Sequence, residues 1–439
     1  MLPARPGCPF WKAASRACRT AVLALAVTAA GPALAQEDSR WNVSGYGTAG
    51  VTSQSGAEGW RFLRNSAQAA ADGRTSATPD SRAGLQLNWS RGPQWDAALQ
   101  VVAMKKPPGA PLSDSLEWAY LSHRPDASWR LRLGRINPDL FLYADSRNVG
   151  YGLPWARPPV DFYGFAPLAA VDGLDVERQW SSGDGEWRGR LTAGSFSISG
   201  IDTRGQRFGI RGRETLALGL SREEGGLLLK ASYLRTRLAM GAPPELLLLR
   251  DGLSQLAALP VPGLAHAIGP LQHNLWIGGP VSYRGFGAQY ERGPWTIAAE
   301  ASDLSVPGSP LNARRGYVSL GYRHKTVTYF ALASRVVPRK PAPEVPDLMT
   351  PLTPVIGAPA AAAAQQLAGY AGAAAVLYRY DQSTVGAGLR WDLLPNAAVK
   401  LQVDRFKVHA NGSAGWVHGD GRAARGTLYS VVFDFVWGQ

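Results

Sequence analysis

A two-residue alternation of apolar and polar side chains runs through most of this 439-residue sequence. In residues 82–90, for example, every second residue is alanine, leucine or tryptophan. Successive side chains of a β-strand point to opposite faces, so the pattern predicts strands with one apolar and one polar face. Sixteen segments show it, near residues 41–52, 82–90, 95–103, 113–124, 129–136, 173–181, 187–199, 212–222, 227–238, 283–291, 295–303, 314–323, 326–336, 379–392, 397–408 and 427–437.

Composition and apolar run length exclude the main alternatives to a β-rich fold. Beyond the N-terminus there is no strongly apolar stretch of about 18 residues, which excludes a fold of membrane-spanning helices. Only 18% of the residues are charged, against roughly 25% in an average globular domain, which excludes a charged helical rod and an acidic disordered chain. An all-β fold is therefore predicted.

The first 35 residues have the composition of a secretory signal peptide. Four basic residues precede an apolar run at residues 20–31, and Ala33-Leu34-Ala35 forms an A-x-A cleavage site. Both cysteines, Cys8 and Cys18, lie before that site, so the exported chain has no disulfide and no cysteine-ligated metal. We therefore expect an exported mature chain of residues 36–439 with no cofactor.

The connections between the predicted strands alternate between short and long. Tight turns such as residues 92–94 and 292–294 alternate with connections that are mostly much longer. An even number of antiparallel strands, with short turns at one rim and long loops at the other, is typical of a transmembrane up-and-down β-barrel. Hydrocarbon cannot satisfy bare backbone groups, so the last strand must pair with the first. The alternative is a soluble β protein, which gives no reason for such regular asymmetry.

Tryptophan supports the membrane interpretation. Nine of the fifteen tryptophans fall near the short-turn ends of predicted strands, and amphipathic aromatic residues gather where hydrocarbon meets lipid headgroups. They are Trp41, Trp89, Trp95, Trp129, Trp180, Trp187, Trp295, Trp391 and Trp437.

These features resemble those of Gram-negative outer-membrane porins. The likeness rests on the export signal, the sixteen strands, the opening strand Ser44–Val51, the aromatic-rich last strand and a long third loop. The chain is more similar still to a group of proteobacterial porin-like proteins with a Gly-aromatic-Gly-Thr opening, including the runs at residues 144–147 and 157–164. The resemblance implies a homotrimer in the outer membrane, through which small hydrophilic solutes diffuse passively.

The third long connection, residues 137–172, is the loop that folds into the lumen in the porins that the chain resembles. Facing charges across such a constriction sort solutes by size and charge. We expect this role for Asp139, Asp145, Arg147, Arg157, Asp161 and Tyr163. The alternative is a surface loop stabilised by its own aromatic residues.

Strand parity assigns the charged residues of the lumen wall. If the leucine and tryptophan positions face lipid, ten basic residues face the lumen: Arg82, Arg130, Arg132, Arg188, Arg190, Arg213, Lys230, Arg315, Arg390 and Lys400. Seven acidic residues share that face: Asp96, Glu117, Asp175, Glu177, Glu300, Asp404 and Asp434. The excess of basic residues predicts a water-filled pore with a mild preference for anions. The alternative is that these charges only keep the wall hydrated.

Other regions carry weaker signals. Residues 337–378 are rich in proline and alanine, and we expect an extracellular loop holding one short helix. The G-x-G-x-x-G at residues 45–50 lies inside a predicted strand with no helix after it, so it holds no phosphate. Basic residues are too dispersed for a nucleic-acid site. The partners we expect are solutes, outer-membrane lipid and lipopolysaccharide.

Two other functions remain open from the sequence. We find no catalytic motif and expect neither catalytic nor metal-binding residues. An outer-membrane hydrolase would nevertheless need only a serine or similar nucleophile beside a histidine at the lipid-facing rim, and distant strands could supply both. The long loops would also suit a surface adhesin without a channel.

Overall fold

The computed structural model describes residues 39–164, 170–241, 244–275 and 278–438. The predicted signal peptide, residues 1–35, lies outside the described residues. Sixteen long antiparallel strands and the two-residue strand Thr75–Ser76 form one sheet. We number them β1 Ser39–Gly56, β2 Arg82–Arg91, β3 Trp95–Met104, β4 Leu116–His123, β5 Trp129–Ile136, β6 Val171–Ser182, β7 Gly185–Ile201, β8 Arg207–Glu224, β9 Leu227–Met240, β10 Gly278–Arg292, β11 Trp295–Ser305, β12 Ala313–His324, β13 Val327–Pro338, β14 Tyr380–Leu394, β15 Ala397–Ser413 and β16 Ala424–Trp437.

The sheet closes into a barrel, which confirms the predicted fold class and strand number. β16 pairs antiparallel with β1, in a register that runs from Gly45 opposite Trp437 to Gly56 opposite Gly426. A Cβ on Gly45 would lie 2.6 Å from the Trp437 indole ring, so only glycine leaves room for that ring. The glycines of the G-x-G-x-x-G run therefore serve strand packing at the closing seam.

The connections follow the predicted alternation. Short turns join the strands at one rim, at residues 92–94, 124–128, 183–184, 225–226, 293–294, 325–326 and 395–396. At the opposite rim the segments between strands are residues 57–81, 105–115, 137–170, 202–206, 241–277, 306–312, 339–379 and 414–423. The fourth of these is short because β7 and β8 extend beyond their predicted ends. We call the two ends the short-turn rim and the long-loop rim.

Apolar side chains cover the outside of the barrel. Leu133 is 65% exposed and Val431 is 55% exposed, although both are large apolar residues in the middle of strands. At the short-turn rim Trp41, Trp391 and Trp437 are exposed as well. Such a surface is stable against hydrocarbon and not against water.

Among the residues that the structure describes, five α-helices accompany the barrel. One short helix, α1 Val160–Tyr163, lies in the third connection; the others are α2 Pro244–Ala257, α3 Leu264–Asn274, α4 Met349–Ile356 and α5 Ala358–Val376. Within the described ranges, no helix is both long enough and apolar enough to cross a membrane.

The prediction of one short helix in residues 337–378 is wrong, because two helices form and α5 has 19 residues. Alanine is the strongest helix former, and Ala361, Ala364, Ala368 and Ala371 are buried at helical spacing. They pack against Leu271 and Leu352 in one apolar cluster contributed by α2 to α5.

Candidate functional site

The third connection folds into the barrel, as predicted. Residues 137–164, which we call the inner loop, form hydrogen bonds with inward side chains of several strands of the wall. The backbone N–H of Leu142 donates to Glu300 of β11 at 2.9 Å, and that of Ala156 donates to Gln402 of β15 at 2.9 Å. The inner loop therefore spans the interior.

Arg157 anchors the inner loop to the closing seam. Its side chain is 1% exposed. Its Nη1 donates to Asp80 at 2.6 Å and to Thr52 at 3.1 Å, and its Nη2 donates to Ser430 at 2.6 Å and to Asp404 at 3.2 Å. Truncating Arg157 would leave the Asp404 carboxylate buried without a cation among the described residues, and Asp80 with Arg64 alone.

Asp80 lies between two guanidinium groups at this anchor. Besides Arg157, it accepts a hydrogen bond from Arg64 at 2.8 Å and one from Thr52. Burial acts to raise the pKa of the Asp80 carboxyl, but Arg157 and Arg64 outweigh it and hold that pKa below its usual value. Asp80 is therefore ionised, and it fixes the inner loop to the first long connection.

Asp161, in α1, is a second anchor of a different kind. It is fully buried and accepts hydrogen bonds from the Ser334 hydroxyl and the Gln382 amide, both at 2.7 Å. In the part of the chain that the structure describes, it forms no ion pair. Burial raises the pKa of Asp161 to about 6, although the hydrogen bonds act in the opposite direction.

A third anchor is the pair of Lys400 and Asp434, whose side chains are fully buried and 2.8 Å apart. The Lys400 ammonium also donates to the carbonyl of Gly150 at 2.6 Å and to that of Trp155 at 3.1 Å. A Cβ on Gly150 would lie only 1.9 Å from an Asp434 oxygen. The inner loop is therefore in close contact with the wall here, with no room for a channel between them.

Glu300 and Asp139 hold the other side of the inner loop. Glu300 accepts hydrogen bonds from Tyr163 and, at 2.9 Å, from Tyr317. Asp139 pairs with Lys230, and with Arg188 at 3.2 Å.

Burial acts to raise the pKa of Asp139, but Lys230 and Arg188 outweigh it and lower that pKa. Arg188 thus faces a carboxylate of the inner loop. Arg190 donates to the carbonyl of Asn137 at 2.7 Å.

Other predicted wall charges pair among themselves. Arg132 lies 2.6 Å from Asp175 and 2.9 Å from Glu177, and Arg190 lies 2.8 Å from Asp175. These residues face the interior, but they are buried, so water reaches little of them.

The remaining predicted residues differ in how deeply they are buried. Arg130 pairs with Asp96 at 2.7 Å and stays partly exposed. Arg390 donates to the carbonyl of Leu153, while Asp145 is exposed and accepts from Asn137 at 3.0 Å. Arg315 is buried within the wall.

The assignment of Arg213 to the lumen is wrong. A β-bulge between Arg213 and Leu216 inserts an extra residue into β8, and Glu214 adopts a positive φ of 53°. Gly212 therefore shares the inner face with Phe196, its partner on β7, while Arg213 is exposed on the outer face. A bulge reverses the parity of every residue beyond it.

Part of the interior is apolar, which parity reasoning missed. Phe141 of the inner loop packs against Tyr283 of the wall and Phe162 against Tyr317, with ring centroids 5.7 and 5.4 Å apart. The sequence did hold a signal: in residues 327–338 apolar side chains occupy both strand faces. The interior that strand parity predicted to be a water-filled pore is therefore partly filled by apolar side chains.

A polar cavity of about 110 Å³ remains between the inner loop and the wall formed by β2 to β7. It is lined by five basic and three acidic side chains: Arg64, Arg82, Lys106, Arg135, Arg147, Asp114, Glu117 and Asp172. Sequence reasoning named Arg82, Arg147 and Glu117. It missed Arg64, Lys106 and Asp114, which lie in the first two long connections, and Arg135, which shares the strand parity of the outward Leu133.

Two ion pairs form between residues that line the polar cavity. Arg147 lies 3.3 Å from Glu117, and Arg135 binds both oxygens of Asp172 at 2.7 and 2.8 Å. Within the described ranges, no group of three His, Cys, Asp or Glu side chains could hold a metal ion.

No protein-family model and no curated protein matches the sequence. Solved structures with a similar course of the chain include the outer-membrane expressed OmpT of Vibrio cholerae, at 12% identity over 92% of this chain and 99% of that chain, with a TM-score of 0.45. Salmonella typhi OmpF in complex with daunomycin has 10% identity over 90% and 97%, with a TM-score of 0.49. The anion-selective porin from Comamonas acidovorans has 11% identity over 91% and 100%, with a TM-score of 0.48. Likenesses this weak concern the fold alone.

Proposed function

We propose that this protein is an outer-membrane porin through which small hydrophilic solutes diffuse passively. The observation that carries the proposal is a closed barrel with an apolar outer surface and a polar cavity between the inner loop and β2 to β7. A closed barrel satisfies its own backbone in hydrocarbon, and a charged interior lets water and solutes enter. Homotrimer formation and contact with lipopolysaccharide belong to the same proposal.

The charge of the polar cavity supports a preference for anions. Basic side chains outnumber acidic ones there, and ion pairs engage Arg64, Arg135 and Arg147. Among the described residues, Arg82 and Lys106 form no ion pair, and neither does Asp114. The excess positive charge lowers the energy of an anion in the passage relative to that of a cation.

The purified protein in planar lipid bilayers tests this proposal. We expect stepwise conductance in KCl, and in a salt gradient a reversal potential of the sign that indicates chloride permeation. A protein that inserts but never conducts would contradict the channel, while a cation-selective reversal potential would contradict only the charge argument.

One observation favours a second candidate function, that of an outer-membrane hydrolase. Ser383 of β14 and His409 of β15 lie on the outer face near the long-loop rim, and the Ser383 hydroxyl is 3.3 Å from His409 Nε2. A serine beside a histidine is the minimum for nucleophilic catalysis. In the described part of the chain no acidic side chain hydrogen-bonds to His409, and the nearby Asp381 pairs with Arg335 at 2.6 Å.

A lipid-hydrolysis assay decides between the candidates. If the pair is catalytic, the protein cleaves phospholipid vesicles, and Ser383→Ala abolishes the cleavage without changing conductance. If the channel proposal is right, Ser383→Ala and the unmodified protein are equally inactive on lipid while both conduct.

A further inference from the structure

A second cavity inside the barrel is lined mainly by apolar side chains. It has a volume of about 160 Å³ and lies at the long-loop end, where the inner faces of β7 to β11 meet the inner loop and the long connections. Phe196, Ile210, Leu234, Met240, Val281 and Leu304 are among its lining residues. We call it the apolar cavity.

The size and lining of the apolar cavity suit a small apolar ligand. An engineered cavity of about 150 Å³ lined by Leu, Ile and Phe stays dry and binds benzene. Close-packed protein interiors leave few voids of this size, and each one forfeits dispersion contacts. A group that fills the apolar cavity would regain them, whereas water would find few polar partners.

The apolar cavity adjoins the polar cavity. Asn65, Phe141, Gly164 and Ile198 line both of them. A molecule at this boundary therefore meets apolar side chains on one side and an excess of basic side chains on the other.

The polar side offers a cation that lacks a partner. Arg82 lines the polar cavity and is only 8% exposed, and its Nη2 has no hydrogen-bond partner in the described part of the chain. A buried N–H without a partner is costly, and a carboxylate is the acceptor that best matches a guanidinium. Lys106 also lines this cavity and forms no ion pair among the described residues. The acidic side chains there are Glu117 and Asp172, which are paired, and Asp114.

We propose that the two cavities together form a binding site for small organic acids with an aromatic or branched apolar body. The apolar body occupies the apolar cavity, and the carboxylate is held in the polar cavity beside Arg82 and Lys106. This inference rests on the proposed channel and names the class of solute that the channel recognises. A neutral apolar molecule would leave the Arg82 nitrogen unpaired, and a small inorganic anion would leave the apolar cavity empty.

The test uses the full mature chain in lipid nanodiscs and isothermal titration calorimetry. The probes are benzoate, its neutral analogue benzyl alcohol, and acetate. We expect benzoate to bind at least about tenfold more tightly than either of the others, because only benzoate uses both cavities.

Two variants separate the contributions of the cavities. Ile210→Trp fills the apolar cavity and should weaken benzoate binding at least about tenfold. Leu218→Trp is its matched control on the same strand, because Leu218 lies on the outer face and is 44% exposed; it should leave binding unchanged. Arg82→Gln should weaken benzoate binding about tenfold and leave benzyl alcohol unaffected.

The outcomes distinguish this inference from the channel proposal. Equal binding of benzoate and acetate, or unchanged benzoate binding in Ile210→Trp, would overturn the inference. Because binding is measured without conductance, a protein that conducts KCl but does not prefer benzoate keeps its channel function and loses only this site. Benzoate binding without any conductance would leave the site in place and refute the channel.

Discussion

The barrel interior has two sectors that use charge in opposite ways. From β11 around to β1, charged side chains such as Arg157, Lys400 and Asp434 are buried and hold the inner loop against the wall. Between the inner loop and β2 to β7, Arg82, Lys106 and Arg147 line the polar cavity, although Arg132, Asp175 and Arg190 of the same strands form buried ion pairs. We call these the anchored sector and the open sector.

The comparison shows that charge inside a barrel does not by itself indicate a pore. A buried ion pair is costly to assemble, yet breaking it by removing one partner is more costly still, so it fixes one arrangement of the loop. Charged side chains that stay in contact with water attract or repel the ions that pass them. What decides the role of a charge is whether the inner loop covers it.

The largest expected effect comes from breaking the anchored sector at Arg157. Arg157→Met leaves the Asp80 and Asp404 carboxylates buried near each other without their common cation, which costs about 3–5 kcal/mol of folding free energy. We expect a lower urea midpoint for unfolding from lipid bilayers, and a larger and noisier single-channel conductance because the inner loop is released.

Arg422→Met is the control for Arg157→Met. Arg422 pairs with Asp420 at 2.6 Å, but it is 84% exposed in a long connection. Exposed pairs contribute little to stability, so neither the midpoint nor the conductance should change. An equal effect of both variants would contradict the role assigned to the anchored sector.

The second effect concerns pH and again belongs to the anchored sector. Burial raises the pKa of Asp161 to about 6 in the folded protein, against a usual value of 3.8. Between these two pH values the Asp161 carboxyl is ionised in the unfolded chain but still protonated in the folded protein. The free energy of unfolding therefore falls as pH rises through this range, by up to about 3 kcal/mol.

Asp161→Asn isolates this contribution, because its amide cannot ionise and the Ser334 hydroxyl can turn to accept from it. We expect urea unfolding to show the variant gaining stability relative to the unmodified protein as pH rises from 4 to 7. A stability difference that is independent of pH would contradict the assigned ionisation.

The smallest expected effect tests whether charges of the open sector set the ion selectivity. Arg82→Gln should reduce the ratio of anion to cation permeability by about twofold, because one positive charge leaves the passage. Arg213→Gln removes the same charge from the outer face of the barrel, and its reversal potential should not change. Equal shifts for the two variants would show that the charge preference arises from the field of the whole protein.

The sequence predicted the strands and the closure of the barrel, because these follow from a strand period and from the need to satisfy backbone groups in hydrocarbon. The inward course of the third connection was expected only from the resemblance to porins. The sequence did not predict which inner charges the loop covers. Lys400 and Arg82 both lie on the inner face, and only contacts between distant residues separate an anchor from a cavity wall.

Three other features of the structure could not be predicted from the two-residue alternation of the strands. The orientation of Arg213 depends on one extra residue in β8, and a single insertion leaves no mark on the average alternation. The length of α5 depends on packing against α3 and α4. The inward phenylalanine and tyrosine residues depend on the inner loop, which supplies their packing partners.

The seam between β1 and β16 has a consequence for how the molecule forms. The hydrogen bond from Thr48 to Asp434 joins residues 386 positions apart in the chain. Contacts between residues so far apart in the chain form late and slowly. The edge of β1 therefore stays unpaired until β16 has been synthesised and can pair with it. A chain released before residue 424 would lack β16 and would keep two unpaired strand edges, which would leave it prone to aggregation until it is degraded.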